Sequence, residues 1–265
     1  MKIDSPNASG IISGFGVPTG GTSGQVLQKT SNTNYGTQWV TPSTSTRYAY
    51  WTPWVSLDPS GMGATYVAPN AENQGENGIK LTNTLSDGQS AFINWTSTDI
   101  DWTKDFKVTA VLYNSVYGTL SGNTGDGFVI YAGSTAVAGT YANAADGGLK
   151  FRIFTYGGAS DPHQPGVSFW TNTTKGPQGR TGNDWTTGIW LRYTVEVCRD
   201  KVTNKRNAVA YVDVDGALGD YGNRRAIAAM DVTSWTPGGT NFGISCSTGS
   251  ARSEQYVHTL QFEAL

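Results

Sequence analysis

The chain has 265 residues, a net charge of −2 and only 14% charged residues, with 34 Gly, 13 Tyr and 9 Trp. Lys and Arg gather nowhere beyond Lys205-Arg206 and Arg224-Arg225, which excludes the electrostatic footprint of a nucleic-acid binder. No apolar run reaches the roughly 18–20 residues of a membrane-spanning helix, so the composition predicts a globular, β-rich protein with neither nucleic acid nor membrane as partner.

In chain order, residues 1–14 carry no periodic apolar pattern and are expected to be a flexible or partner-ordered arm. The start, Met1-Lys2-Ile3-Asp4-Ser5-Pro6, has no signal-peptide core, so synthesis in a bacterial cytoplasm is expected. Residues 25–29 and 37–40 read as two short strands around a polar, glycine-ended turn. So small a segment cannot bury a core by itself. Val17, Val26, Leu27 and Trp39 are therefore expected to be covered by a partner, most simply by further copies of the chain. Thr41-Pro42-Ser43-Thr44-Ser45-Thr46 reads as a linker. The expected division is 1–45, an anchoring and oligomerising segment, and 47–265, one large domain.

Past Arg47, strands are predicted at 79–82, 91–95, 106–113, 127–132, 149–154, 166–170, 190–198, 208–214, 242–247 and 256–263. The strand at 106–113 shows why: Phe106, Val108, Ala110 and Leu112 alternate with more polar residues, the period of a half-buried strand. Turn dipeptides such as Asn77-Gly78, Asp87-Gly88, Asp126-Gly127 and Gly238-Gly239 punctuate the pattern. The sole helical candidate is a weak one, 224–230. Many short strands and no long helix predict an all-β sandwich or jelly roll of two antiparallel sheets. Period-2 alternation puts Cys246 with Phe242 and Ile244 on an apolar face and Cys198 with Thr194 and Glu196 on a polar one, so both are expected to be free thiols.

Catalysis has few candidates. His163 and His258 lie far apart with no Ser or Cys motif around either. A glycan hydrolase needs two close carboxylates. The glutamates, Glu72, Glu76, Glu196, Glu254 and Glu263, do not fall at a catalytic spacing, and Asp99 and Asp101 sit in a turn-like stretch. The protein is expected not to be an enzyme.

The strand order and the residues at strand ends resemble an L-type (legume-type) lectin, the concanavalin A-like jelly roll. Asp126-Gly127-Phe128-Val129-Ile130-Tyr131 is similar to that family's Asp-Gly strand, Leu149-Lys150-Phe151-Arg152 to its Val-Glu-Phe-Asp strand, and Asn241-Phe242-Gly243-Ile244-Ser245 with Thr248-Gly249 to its last loop. The resemblance covers about 47–265. It implies carbohydrate contacts from Asp126, from the Gly148 N–H in a glycine turn, and from a specificity loop that includes Gly249 and Ser250; Tyr156 and Trp170 are the candidate stacking rings. It also implies metal ions, but the family's metal carboxylates fall at Lys150 and Arg152, its His at Gly166 and its Asn at Tyr156. Only Asp161 is kept. No metal or other cofactor is expected, and Arg152 is expected to pair with Asp161 and hold the loop instead.

Gly16-Val17-Pro18-Thr19-Gly20-Gly21-Thr22-Ser23-Gly24-Gln25-Val26-Leu27, closed by Gln38-Trp39-Val40, resembles a recurring tailed-phage fibre element found in head fibres and some tail fibres. That implies a homotrimer on a virion surface, held to a capsid or tail protein through residues 1–45. The combined expectation is a virion fibre or decoration protein whose outward lectin-like domain binds host-surface or environmental glycan. The alternatives are a structural decoration with a vestigial sugar cleft and, more remotely, a hydrolase on the same fold.

Overall fold

A computed structural model describes residues 22, 26–29, 37–40, 47–52, 59–67, 72–73, 78–85, 88–115, 127–137, 147–154, 166–171, 174–179, 190–214, 224–248 and 253–265. The chain divides into two units, Met1–Ser45 and Thr46–Leu265. In the first, β1 (Val26–Lys29) and β2 (Thr37–Val40) form an antiparallel pair with Val26 opposite Val40 and Leu27 opposite Trp39, the hairpin expected from sequence. Trp39 is half-buried.

The second unit is built from fifteen strands among the described residues: β3 (Arg47–Trp51), β4 (Thr65–Val67), β5 (Glu72–Asn73), β6 (Ile79–Thr82), β7 (Ser90–Thr96), β8 (Phe106–Asn114), β9 (Gly127–Ser134), β10 (Leu149–Phe154), β11 (Gly166–Thr171), β12 (Thr174–Gly179), β13 (Trp190–Arg199), β14 (Arg206–Val214), β15 (Arg224–Asp231), β16 (Asn241–Ser247) and β17 (Gln255–Ala264). One sheet runs β12-β11-β10-β9-β16-β7-β4, and the other runs β15-β14-β13-β8-β17-β6-β5 with β3 added beside β17. All pairings are antiparallel, as expected for a sandwich.

Alternation dictates the core. Phe128, Ile130 and Ala132 of β9, Phe151 and Ile153 of β10, and Phe242 and Ile244 of β16 meet Phe106, Val108, Leu112, Leu260 and Phe262 from the other sheet. Aromatic rings knit the layers, with Phe242 4.9 Å from Phe262 and 5.1 Å from Trp102, which stands 5.1 Å from Phe106. Each such ring contributes roughly 1.5–3 kcal/mol by leaving water.

Strands β3, β4 and β5 were not predicted from sequence, and two further features depart from expectation. Residues 224–230 are strand β15, not helix. Ala and Met are good helix formers, but Ile227, Ala228 and Met230 pack on the core and β15 pairs with β14, so tertiary packing overrides propensity. The segment Thr174–Gly179 is a strand despite Gly176 and Pro177, because it is the edge of its sheet, where a missing N–H breaks no ladder. The cysteines are both free, Cys246 buried and Cys198 half-buried. Burial pushes both thiols up, Cys246 far beyond the usual range, which makes them poor nucleophiles.

The register defines two ends of the seven-stranded sheet. At one, Ser90 faces Ser247, Ser247 faces Gly127, Gly127 faces Phe154 and Phe154 faces Gly166. At the other, Thr96 faces Asn241, Asn241 faces Ser134, Ala132 faces Leu149 and Leu149 faces Thr171. They are called here the Gly127 end and the Gly133 end.

Candidate functional site

Residues that alternate with the core set form the outer face of the seven-stranded sheet. This face is polar yet buried: Asn94, Tyr131, Lys150, Arg152, Ser168 and Ser245 are all at most 4% exposed. Buried polar atoms must be bonded, and several bonds are visible. Tyr131 Oη donates to Asn94 Oδ1 at 2.8 Å, Asn94 Nδ2 donates to Asn241 Oδ1 at 3.0 Å, and Trp170 Nε1 donates to Ser168 Oγ at 2.8 Å. The Arg152 guanidinium lies 4.2 Å from the Phe154 ring centroid and 5.1 Å from that of Trp170, and Lys175 Nζ lies 5.5 Å from the Trp170 ring.

The Gly127 end is fastened by side-chain amides and hydroxyls. Gln255, fully buried in the eight-stranded sheet, donates from Nε2 to the Gly127 carbonyl at 3.2 Å and so ties one sheet to the other. The Thr82 hydroxyl lies 2.9 Å from Ser253 O and 3.0 Å from Gln255 Oε1. Gln89 clamps Asn83, accepting from its N–H at 2.9 Å and donating to its carbonyl at 2.7 Å. Backbone N–H of Gln89 donates to Thr248 Oγ1, and Thr248 N–H donates back to the Gln89 carbonyl. Gly127 has φ +112°, which a side chain rarely adopts, so glycine is required right after Asp126.

The Gly133 end is closed by backbone. Gly238 N–H reaches the Gly133 carbonyl at 3.0 Å and the Gly147 carbonyl at 3.2 Å, Gly239 N–H donates to Gly133 O at 2.9 Å, and Trp235 Nε1 donates to Gly147 O at 2.8 Å. Arg206, 2% exposed, lies 5.4 Å from the Trp235 ring and 5.8 Å from Phe106, and donates to the Trp102 carbonyl at 2.8 Å and to that of Lys104.

Against these ends the expected sugar contacts divide. Asp126, Tyr156, Gly249 and Ser250 lie outside the described residues, but each is joined within two residues to a described residue at the Gly127 end: Gly127, Phe154 and Thr248. Gly148 does not belong with them. It precedes Leu149, which faces Ala132 at the Gly133 end, while Asp126 precedes Gly127. The two starts are about six residues apart along antiparallel strands, roughly 20 Å, so the Gly148 N–H and Asp126 cannot hold one sugar hydroxyl. Gly148 is buried beside the glycine closure. Trp170 faces Lys150, toward the Gly133 end, and is 8% exposed with cations at its ring. Arg152 is on the outer face and 4% exposed; Asp161 lies outside the described residues. Val17 does too, and Val26 and Leu27 are placed in β1 by backbone alone.

Sequence reasoning missed Gln255, Gln89 and Thr82. Their signal is slight: amide and hydroxyl residues at strand ends, indistinguishable in sequence from solvated turn residues. It also misread Gly148, although strand parity held the answer, because successive antiparallel strands begin at opposite ends.

Other chemistry finds little support in the geometry. Asp101 accepts from Thr103 N at 3.0 Å and from the Thr103 hydroxyl, which hold its carboxyl below the usual range, the wrong direction for a general acid. Glu254 bonds Tyr256 Oη at 3.0 Å and faces Lys80 at 3.6 Å; Glu263 pairs with Lys107. The metal set implied by the lectin resemblance does not fit either. Its carboxylate positions hold Lys150 and Arg152, whose cross-strand neighbours are Tyr131, Trp170, Val129 and Ser168. Among the described residues no three His, Cys, Asp or Glu cluster.

The sequence matches no protein-family model and no curated protein. Solved structures do resemble this one. The VIP36 exoplasmic/lumenal domain in its Ca2+/Man2-bound form aligns with TM-score 0.58 at 15% identity, over 81% of this chain and 86% of that one. The lectin from Bauhinia forficata in complex with GalNAc aligns with TM-score 0.58 at 16% identity, over 82% and 97%. Lectin II from Ulex europaeus gives 0.56 at 11%, over 76% and 92%. The fold is the concanavalin A-like jelly roll.

Proposed function

We propose that the jelly roll binds glycan reversibly at the Gly127 end of its seven-stranded sheet, without turning it over. One observation carries this reading. Asp126, Tyr156, Gly249 and Ser250, singled out separately, all lie within two residues in sequence of strand ends there, and Gly127, next to Asp126, is tied to the opposite sheet through Gln255. Asp126 accepts two sugar hydroxyls, a carboxylate's natural pairing with a vicinal diol; Tyr156 supplies a ring face, and Gly249-Ser250 a wall. Gly148 and Trp170 are left out, the first for its place and the second for its burial. The likeness to lectins whose structures hold Man2 and GalNAc supports this class of ligand.

Residues 1–45 mount the module on a phage particle as a homotrimer, a reading supported by the fibre-like glycine segment and by a hairpin too small to bury a core alone. Three weak sites on one trimer then gain by avidity. The cationic residues at the metal positions favour a second reading, a structural decoration whose sugar cleft is disused.

Labelled full-length protein on a glycan array, with Asp126→Ala alongside, tests the first reading. Binding to a defined set of glycans, lost in the variant, supports it. No binding at micromolar protein, or binding that survives the substitution, rejects the site and favours the decoration. Light scattering tests the mounting separately: three copies per particle are expected, and a single copy overturns the trimer while leaving the glycan site untouched.

A further inference from the structure

On the eight-stranded sheet the register sets Trp190 of β13 opposite Tyr113 of β8, Tyr113 opposite Tyr256 of β17, and Tyr256 opposite Lys80 of β6. The three aromatic residues alternate with Leu191, Leu112 and Val257 of the core, so they share the outer face of that sheet. We propose that this row is a second saccharide site, an aromatic platform on which a neutral sugar chain stacks. It lies on the other sheet from the Asp126 site and stands whether or not that site binds glycan.

The row is built to hold a shape. Trp190 and Tyr113 lie 5.2 Å apart with their planes at 43°, and Tyr256 stands edge-on to both, at 5.4 Å and 82° from Tyr113 and at 6.2 Å and 67° from Trp190. Two rings thus make a shallow floor and the third a wall. Both parts are fixed from outside the row. The Tyr256 hydroxyl donates to Glu254 Oε2 at 3.0 Å, and Glu254 Oε1 lies 3.6 Å from Lys80 Nζ. Trp190 rests against the ring of His258 at 5.9 Å, and His258 is itself buried. The three platform rings are half-buried, anchored at one side and open at another. Rings held in this way form a binding surface that costs no ordering when a ligand arrives.

Chemistry selects the occupant. The C–H face of a sugar packs on an aromatic ring, and its rim of hydroxyls both donates and accepts. The next row inward supplies polar partners: Arg192, two residues from Trp190 on the same face, donates from Nε to Asp213 Oδ2 at 3.0 Å. Asp213 is 2% exposed, yet its Oδ1 has no donor, an omission that a ligand hydroxyl entering beside Arg192 makes good. The charges come in pairs, Arg192 with Asp213 and Lys80 with Glu254, which suits a neutral chain better than an acidic one. A second copy of the protein docking here would have to strip water from both pairs; hydroxyls replace that water instead.

Native electrophoresis of the full-length chain through gels that contain a soluble polysaccharide is the test, with dextran and galactomannan as neutral probes and alginate as an acidic one. Every chain carries Asp126→Ala, so the Gly127 end is silenced and failure here leaves that reading untouched. Retardation by a neutral probe is expected with a dissociation constant of about 1 mM, too weak to register on an array at micromolar protein. Trp190→Leu, apolar but without a ring, is expected to weaken it about tenfold, the worth of one ring contact, while Trp190→Phe keeps most of it. If Trp190→Leu does not fold, Tyr113→Leu gives the same reading from the neighbouring strand. No retardation, retardation by alginate alone, or retardation that the leucine variants leave unchanged overturns the platform. So does a fall in particle mass by light scattering in either leucine variant, which would make the row an interface between copies.

Discussion

The two ends of the seven-stranded sheet are closed by different means. At the Gly133 end backbone meets backbone: Gly133, Gly147, Gly238 and Gly239 approach so closely that a Cβ on Gly147 would stand 2.2 Å from Gly238 Cα, and one on Gly239 2.3 Å from Ser134 O. At the Gly127 end the closure is made by Gln255, Gln89, Thr82 and Thr248, chiefly through their side chains, with one backbone bond from Thr248 N–H to the Gln89 carbonyl. Backbone closure tolerates no substituent and fixes one shape. Side-chain closure holds strand ends in place and lets the connecting segments differ in sequence, which is what a binding end requires.

The sharpest way to break this contrast is a pair of glycine substitutions. Gly147 has φ +72° and Gly88, next to Gln89 at the other end, has φ +65°, so the backbone strain of an added side chain is alike. Gly147→Ala also drives a methyl into Gly238 and is expected to cost about 4 kcal/mol or prevent folding. Gly88→Ala meets nothing within 4 Å and is expected to cost about 1 kcal/mol, the left-handed penalty alone. Equal losses in urea unfolding would show that the two ends do not differ in this way. Next in size, Gln255→Leu leaves the Gly127 carbonyl without its donor and is expected to cost about 2 kcal/mol. If the proposed glycan site is right, it should also weaken glycan binding, because Gly127, next to Asp126, loses its tie; an unchanged affinity in titration calorimetry would separate that strand end from the site.

The smallest effect is acid sensitivity confined to the Gly133 end. Asp101 and Asp200 beside turns and Asp231 at the end of β15 lie at that end and are held below the usual range chiefly by hydrogen bonds from Thr103, from Thr203 with Val202, and from Thr233. A carboxyl lowered in the folded state stabilises it above the unfolded value, about 3.9, and loses that contribution as pH falls through the folded value. Hydrogen exchange compared at pH 5 and below pH 3 should show amides 202–203 and 233 losing protection in acid. Uniform loss across both ends would contradict the assignment.

Much of the fold was legible because alternation writes burial directly into sequence: Phe106, Val108, Ala110 and Leu112, and Phe242, Ile244 and Cys246, face inward as their spacing requires. Strand β15 was hidden by its alanines, and β12 by Gly176 and Pro177, because edge strands are set by their neighbours more than by themselves. The candidate site was half legible. Asp126-Gly127 announces a turn, and the φ of Gly127 explains the glycine. A turn motif does not say at which end of a sheet the chain turns, so Gly147-Gly148, similar to a sugar-facing loop, proved to be part of the opposite closure.

Strand β17 lies between β8 on one side and β6 and β3 on the other. Its consequence is one of timing. The residues that complete the middle of the eight-stranded sheet, and supply Gln255 to its neighbour, come after the other described strands of the sandwich in order of synthesis. The sandwich therefore cannot close strand by strand on the ribosome. Its nearest contacts in space, Arg47 with Glu263 and Ala49 with Phe262, are among the farthest in sequence, which predicts slow folding dominated by loop-closure entropy and a nascent chain in need of shielding until residue 264 has emerged.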